Sequence, residues 1–400
     1  MTLTSPPPTG RREWIHDSDC DLDAFRASVD RSTNLSDYPF AHSVEQNVLV
    51  YRSESLTPHL DDAQSRRAVQ SELVRALTDG PGIVVFQNAF GDPAVVDRAT
   101  EQFDLLIAQQ QASGGVVGDH FGKAGANDRI WNAAQKLALG APDVFADYYA
   151  NDILALICQS WLGPLYQVTS QANVVNPGGA AQVPHRDYHL GIVPSHELPE
   201  YPAHLHRMSA ALTLQGAVAH CDMPVESGPT LYLPYSQLFE AGYLAFPRPE
   251  FVEFFRDSHV QLPLRKGDAV FFNPALYHGA GHNRSESIRR TANLLQISSP
   301  FGRAMEVLDR EAMANAVYPA LLARQSAGAS ERTLRNAVVA TAECYPFPTN
   351  LDHDQPVHSL APATQVDTVW EALRDSADPA DGQSAADLVA VRPGDGSAGP

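Results

Sequence analysis

The chain has 400 residues, 44% of them hydrophobic, and 28 Lys+Arg against 47 Asp+Glu give it a formal charge of -19. That size and apolar fraction suit one large globular domain or two modest ones. The acidic excess disfavours nucleic acid and anionic membrane surfaces, which need clustered cations, but leaves room for an anionic small molecule held by a few local ones.

Residues 1–55 begin "MTLTSPPPTGRREWIHD", polar and Pro-rich with no sustained periodicity, and read as an N-terminal arm. The start has no apolar signal core, and nothing later approaches a membrane span. Cys20, Cys158, Cys221 and Cys344 are scattered without a CxxC pair, so a reducing, cytoplasmic setting is expected. Cys158, in "ILALICQSWLG", reads as a buried core thiol.

From residue 61, "DDAQSRRAVQSELVRALTDGPG" puts Val69, Leu73, Ala76 and Leu77 on one helical face and stops at Gly80 and Pro81. "GIVVFQNAF" follows as a strand. Asp92 is the expected N-cap of the next helix, with Pro93 in its first turn and Val96, Ala99, Phe103 and Ile107 inward. Another helix is expected at roughly 143–162. After 164 come short runs rich in Val, Thr, Leu and Phe, among them "YQVTSQANVV", "AQVPHRDYHL", "MSAALTLQGAV", "DAVFFNP" and "TANLLQISS". Their turn punctuation points to an antiparallel barrel or sandwich. The helical period returns at 303–326 and 330–343. The pattern predicts a mainly β protein with flanking helices: a single domain over 56–345 with its β core at about 165–300, and a largely irregular tail over 346–400.

Within the core, "VPHRDYHLG" sets His185 and Asp187 two apart, so on a strand both side chains leave the same face. Alone the pair is weak, and His220-Cys221-Asp222 repeats it in a loop-like stretch. A distant element strengthens the first pair. "KGDAVFFNPALYHGAGHNRSESIRRTANLLQIS" carries His278 flanked by glycine, then a strand-like run with Arg289 and Thr291 on one face. Two histidines and one carboxylate make a facial triad, which leaves three metal positions open and suits non-haem Fe(II). An arginine eleven residues beyond could grip the far carboxylate of a chelating oxo-acid through its planar fork. Alternation groups Arg289, Thr291 and Asn293 against Arg290 and Ala292, and the polar companions favour Arg289 as the inward cation.

The ordered set "HRD", "ESGPTLYLP", "KGDAVFFN" and "HGAGHNRSESIRR" resembles the phytanoyl-CoA dioxygenase-like group of Fe(II)/2-oxoglutarate oxygenases, over roughly residues 65–300. The resemblance implies a double-stranded β-helix (jelly roll, cupin-like) core. It also implies iron on His185, Asp187 and His278, and 2-oxoglutarate held by Arg289, with Asn173 and Gln171 as polar neighbours of the co-substrate. The implied reaction is hydroxylation, or another oxidation, of a small-molecule substrate, with 2-oxoglutarate and O2 converted to succinate and CO2. Two departures stand out. Ala280 replaces a serine often found two residues after the distal histidine, so Thr291 becomes the candidate hydroxyl. "YSQ" at 235–237 replaces the usual "GSH".

Bland readings compete. A histidine beside a proline is by default an ordinary polar residue, and His189, His204, His206, His220 and His282 are read that way. The loop "DHFGKAGANDRIWN" is equally a solvated loop or a cover over the site bringing Lys123 to the co-substrate. A cupin-type hydrolase or isomerase with the same triad but no 2-oxoglutarate is the alternative function; a carboxylate-gripping arginine argues against it. Oligomeric state leaves no trace in the sequence.

Overall fold

The computed structural model describes residues 12–113, 125–352, 355–356 and 358–376. Its elements run α1 (Leu22–Val29), β1 (Ser43–Glu45), β2 (Val48–Arg52), α2 (Ser53–Leu56), α3 (Ala63–Thr78), β3 (Ile83–Gln87), α4 (Pro93–Ala112) and β4 (Asn127–Ile130). Then follow α5 (Ala133–Gly140), α6 (Pro142–Tyr149), α7 (Asp152–Leu162), β5 (Gln167–Val175), α8 (Ala203–Ala211), β6 (Thr213–Ala219), β7 (Leu231–Leu233), α9 (Gly242–Ala245) and α10 (Pro249–Ser258). The chain closes with β8 (Val260–Gln261), β9 (Ala269–Phe272), β10 (Tyr277–Gly279), β11 (Arg290–Ser298), α11 (Arg310–Ser326), α12 (Glu331–Thr341) and α13 (Gln365–Ser376).

Eight strands form one sheet in the order β1-β2-β3-β9-β6-β11-β5-β4, and three form another in the order β10-β7-β8. All pairings are antiparallel except β2 with β3. The period-2 geometry of a strand explains why the large sheet's strands are apolar on both sides. Val84, Phe86, Ala269 and Phe271 belong to the cluster under the helices. Ile83, Val85, Val270 and Phe272 turn the other way and meet Tyr232, Leu262 and Leu276 of the smaller sheet and its connections. The space between the two sheets is the barrel interior.

Helices α3, α4, α6, α7, α11 and α12 cover the large sheet's outer face through the first cluster. Asp62 caps α3 and Asp92 caps α4, each accepting a backbone N–H, so the expected starts are met. More residues are helical than extended, so "mainly β" is too strong and the fold is a mixed sheet with a helical layer. The expected 143–162 helix is two, because Asn151 stops α6 and caps α7 with its side chain. "MSAALTLQGAV" divides into the end of α8 and strand β6. Residues 12–52 of the expected arm pack on the body: β2 pairs with β3, and Phe25 is fully buried among Phe239, Phe251 and Tyr277. In the expected tail, α13 buries Val366, Val369 and Leu373 against the helical layer. No described helix is long and apolar enough to cross a membrane.

Candidate metal centre

His185 lies in no strand; it makes a single antiparallel bridge to His278 of β10, the two backbones exchanging N–H···O bonds of 3.0 and 3.3 Å. Pro184 precedes it, and the pairing goes no further as a regular strand, the next bond being from the Gln182 N–H to the Ala280 carbonyl at 2.9 Å. The bridge suffices to set His185, Asp187 and His278 together, with candidate ligand atoms all within 4.8 Å of one another. His185 Nε2 is 3.6 Å from Asp187 Oδ1, and His278 Nε2 is 3.4 Å from Oδ2. Among the described residues this is the one such cluster of three.

The outer atoms are held. His185 Nδ1 faces the Val183 carbonyl at 3.0 Å and His278 Nδ1 the Leu276 carbonyl at 2.9 Å. A carbonyl only accepts, so each Nδ1 carries the proton and each Nε2 offers its lone pair to the cluster. Gln215 of β6 donates from Nε2 to Asp187 Oδ2 at 2.5 Å. Burial raises the Asp187 carboxyl, but the adjacent His278 and His185 and the Gln215 amide outweigh it and hold the group well below the usual carboxylate range. Burial and the neighbouring His278 lower the His185 pKa, against the attraction of Asp187. The second His-Cys-Asp pair is structural. His220 is buried between Thr100 and Tyr148, while Asp222 caps the Lys266 amide.

The cation is one residue later than the pattern suggested. Arg289 is half-exposed, 3.8 Å from Asp104 and 4.0 Å from Asp128, outside the barrel. Arg290 opens β11 and is 6% exposed; it lines a cavity with Asn173, Thr230, Tyr232, Leu262 and Val270. Its Nη1 is buried without a partner, and burial pulls its pKa down to about 10, against Cys221 and Tyr232. Thr291 points away from the cavity, bonding around the Arg289 carbonyl and Cys221. The physical reason lies in the helical layer. Thr291 and Asn293 share a face with Leu295 and Ile297, which belong to the core under the helices, and Asn293 reaches the Tyr148 hydroxyl at 3.3 Å. The greasy end of that face was the available signal; the polar companions misled.

Asn173 faces the interior beside Arg290, as Ala292 is its cross-strand partner. Gln171 also faces inward, accepting from Arg129 Nη1 at 3.1 Å and donating to Gln296 Oε1 at 3.3 Å. Lys123 lies outside the described residues. Gln215 and Glu306 were missed because nothing in their local sequence distinguishes them.

The model of the phytanoyl-CoA dioxygenase family matches residues 78–291. A curated relative, Dioxygenase trt7 of Aspergillus terreus, is 30% identical over 125 residues, 31% of this chain, and the match spans 38% of that relative's length. Among solved structures, the non-haem alpha ketoglutarate dependent epimerase SnoN from nogalamycin biosynthesis is 19% identical, with 58% of this chain and 84% of that one covered and a TM-score of 0.41. HygX from Streptomyces hygroscopicus, solved with nickel, 2-oxoglutarate and hygromycin B bound, is 16% identical with 58% and 89% covered and a TM-score of 0.39. The phytanoyl-CoA dioxygenase family uses Fe(II), 2-oxoglutarate and O2. With more than half of its residues under that family's model, this chain belongs to the phytanoyl-CoA dioxygenase family.

Proposed function

We propose that this chain is an Fe(II)/2-oxoglutarate-dependent oxygenase that hydroxylates a small-molecule substrate. The observation that carries the reading is Arg290: a buried guanidinium with, among the described residues, an unpartnered Nη1 and no carboxylate lining its cavity, which adjoins the triad. Tyr232 links the two, pairing with His278 across β7 and β10 and packing on Phe272, whose ring lies 4.7 Å from that of His278. A cation stranded in an apolar wall is costly unless an anion completes it.

The donor set fits iron: two neutral imidazoles and one carboxylate, with three positions left over. When bound there, iron with 2-oxoglutarate and O2 would supply the oxidising chemistry, leaving succinate and CO2 as co-products. The chain's own part is orientation. His185 and His278 present Nε2 because their Nδ1 protons are committed to carbonyls, and Gln215 fixes the tilt of Asp187. Arg290 and Asn173 would hold the distal carboxylate of 2-oxoglutarate, while Leu262, Leu264 and Val270 keep water from it. A cupin-type hydrolase or isomerase would have no use for Arg290.

The test is 2-oxoglutarate binding without turnover, with Mn(II) in place of iron and oxygen excluded. Arg290→Ala should weaken binding by roughly a hundredfold, the expected result of removing one member of a buried charge pair. Arg289→Ala should leave it within about twofold, as expected for an exposed cation. The reverse pattern would return the role to Arg289, and no effect from either would sink the co-substrate assignment.

A further inference from the structure

The segment after β11 runs past His189 and Gln171. A side chain added at Gly302 would meet Leu212 Cβ at 3.3 Å and His189 Nε2 at 3.8 Å, and Met305 Sδ lies 3.7 Å from Gln171 Nε2. Next comes Glu306. Its Oε1 accepts the Asn132 backbone N–H at 2.8 Å, but its Oε2 is buried with no hydrogen-bond partner among the described residues. Burial pushes the carboxyl's pKa up, opposed by the Asn132 amide, Gln171 and the charges of Lys136 and Arg129.

Facing it are Tyr188 and His189, directly after the ligand Asp187. Both sit in the left-handed region, at φ 63° and 43°, which bulky L-residues adopt only at a cost. Among the described residues, the Tyr188 hydroxyl and both His189 ring nitrogens are buried with no hydrogen bond made. Gln215 gives its N–H to Asp187 and leaves Oε1 unpartnered. Gln171, whose Nε2 lies 3.7 Å from Met305 Sδ, joins the segment carrying Glu306 to the sheet face that holds Gln215 and Asp187. Across the sheet Gln296 is paired with Gln215 on β6, and its Oε1 takes the Gln171 amide. A stranded polar atom is costly until something fills it, and here such atoms gather beside the candidate ligand Asp187.

We propose that Glu306 is a substrate-anchoring residue whose Oε2 accepts a hydrogen bond from a substrate hydroxyl, so that the substrate is a neutral, multiply hydroxylated small molecule. The inference rests on the oxygenase reading above. Hydroxyls match the wall because they donate to Glu306 Oε2 and Gln215 Oε1 and also accept from Tyr188 and His189. A hydrocarbon would leave all of these groups unsatisfied. An anion would be repelled by Glu306 and Asp187, and a cation is not needed where Arg129 and Lys136 already oppose the carboxylate.

Paramagnetic broadening tests this without turnover. Protein loaded with Mn(II) and 2-oxoglutarate, free of oxygen, is mixed with methyl β-D-glucopyranoside or myo-inositol, and with cyclohexylmethanol as the hydrocarbon counterpart. The ring protons of the hydroxylated probes should broaden strongly and those of cyclohexylmethanol weakly. Glu306→Gln, which swaps an acceptor for a donor, should weaken hydroxylated-probe binding about tenfold. Glu306→Asp should weaken it less. Mn(II) and 2-oxoglutarate affinities should stay unchanged in both variants, which also reports intact folding. Equal broadening by cyclohexylmethanol, no broadening by either hydroxylated probe, or an unaltered Glu306→Gln overturns the proposal. Failure of the wild type to bind Mn(II) or 2-oxoglutarate would instead bring down the oxygenase reading on which it rests.

Discussion

Arg186 stands between two candidate ligands and points away from both. Alternation sends it behind the site, where it is 2% exposed between the rings of Tyr243 and Tyr277, at 4.9 and 5.1 Å. Its Nη2 donates to the Ser236 carbonyl at 2.7 Å and to that of Phe239 at 3.1 Å, and no carboxylate answers it. Tyr277 is the residue before His278, so the two ligand-bearing segments are clasped from the rear by the neighbours of the ligands. A side chain at Gly242 would lie 2.0 Å from the guanidinium, so only glycine leaves room for the stack. Arg186→Met should cost about 3 kcal/mol by stranding the two carbonyls, read as a shift in urea unfolding, and should weaken Co(II) binding followed by its visible absorption. Arg186→Lys should not restore either, because an ammonium lacks the planar face that stacks. Unchanged Co(II) affinity in a folded Arg186→Met would show that the clasp does not position the ligands.

At the scale of elements, strands β6 and β9 decide how closely the helical layer approaches the barrel. Gly216 of β6 lies opposite Phe271 of β9, and an added Cβ would meet that ring at 2.4 Å and the Val270 carbonyl at 2.9 Å. Phe271 is fully buried against Phe86 and has nowhere to turn. Gly216→Ala should therefore destabilise by about 1–3 kcal/mol, the usual effect of overpacking, measured by thermal or urea unfolding. A stable Gly216→Ala would mean that β6 and β9 separate more readily than their packing indicates. The same strand neighbours explain the arginines: β11 is gripped by β5 and β6 along its length, so a slip of one residue would exchange Arg290, Ala292 and Leu294 for Thr291, Asn293 and Leu295 in the interior.

For the whole molecule, a buried polar chain ties the helical layer to the sheet. Thr100 of α4 meets His220 Nδ1 at 2.8 Å, Tyr148 of α6 meets Nε2 at 2.9 Å, and Asn293 of β11 reaches the same tyrosine. Burial drives the His220 pKa down to about 3, with Asp97 pulling it up and Lys266 down. A histidine depressed in the folded state contributes stability that is complete above its unfolded pKa near 6.5 and is lost as pH falls toward 3. The protein should thus lose about 1.4 kcal/mol for each pH unit below 6.5 through this group. His220→Gln should be less stable at pH 7 yet fall less steeply between pH 6.5 and 4, with metal binding retained. Parallel slopes for the two proteins in urea unfolding would dismiss His220 as the cause.

Much of this was legible before any fold was known, for a physical reason. Helices α3 and α4 follow from a 3.6-residue apolar period and an aspartate cap, both local properties of the chain. His185, Asp187 and His278 are recognisable because a metal constrains residue types and order whatever surrounds them. Which face of β11 looks inward was not local. Thr291 and Asn293 are polar, yet they face the helical layer, where Asn293 serves its tyrosines and Thr291 bonds beside Cys221, while Ala292 and Leu294 line the cavity beside Arg290. The arm was equally opaque, since Phe25 and β2 acquire their meaning only from partners far along the chain. Gln215, Glu306 and Arg186 carry no pattern of their own. Residue type, local period and spacing thus determined the elements and the candidate metal-ligand set, whereas strand register and burial, set by pairing between distant segments, decided which cation, carboxylate and amide face the interior.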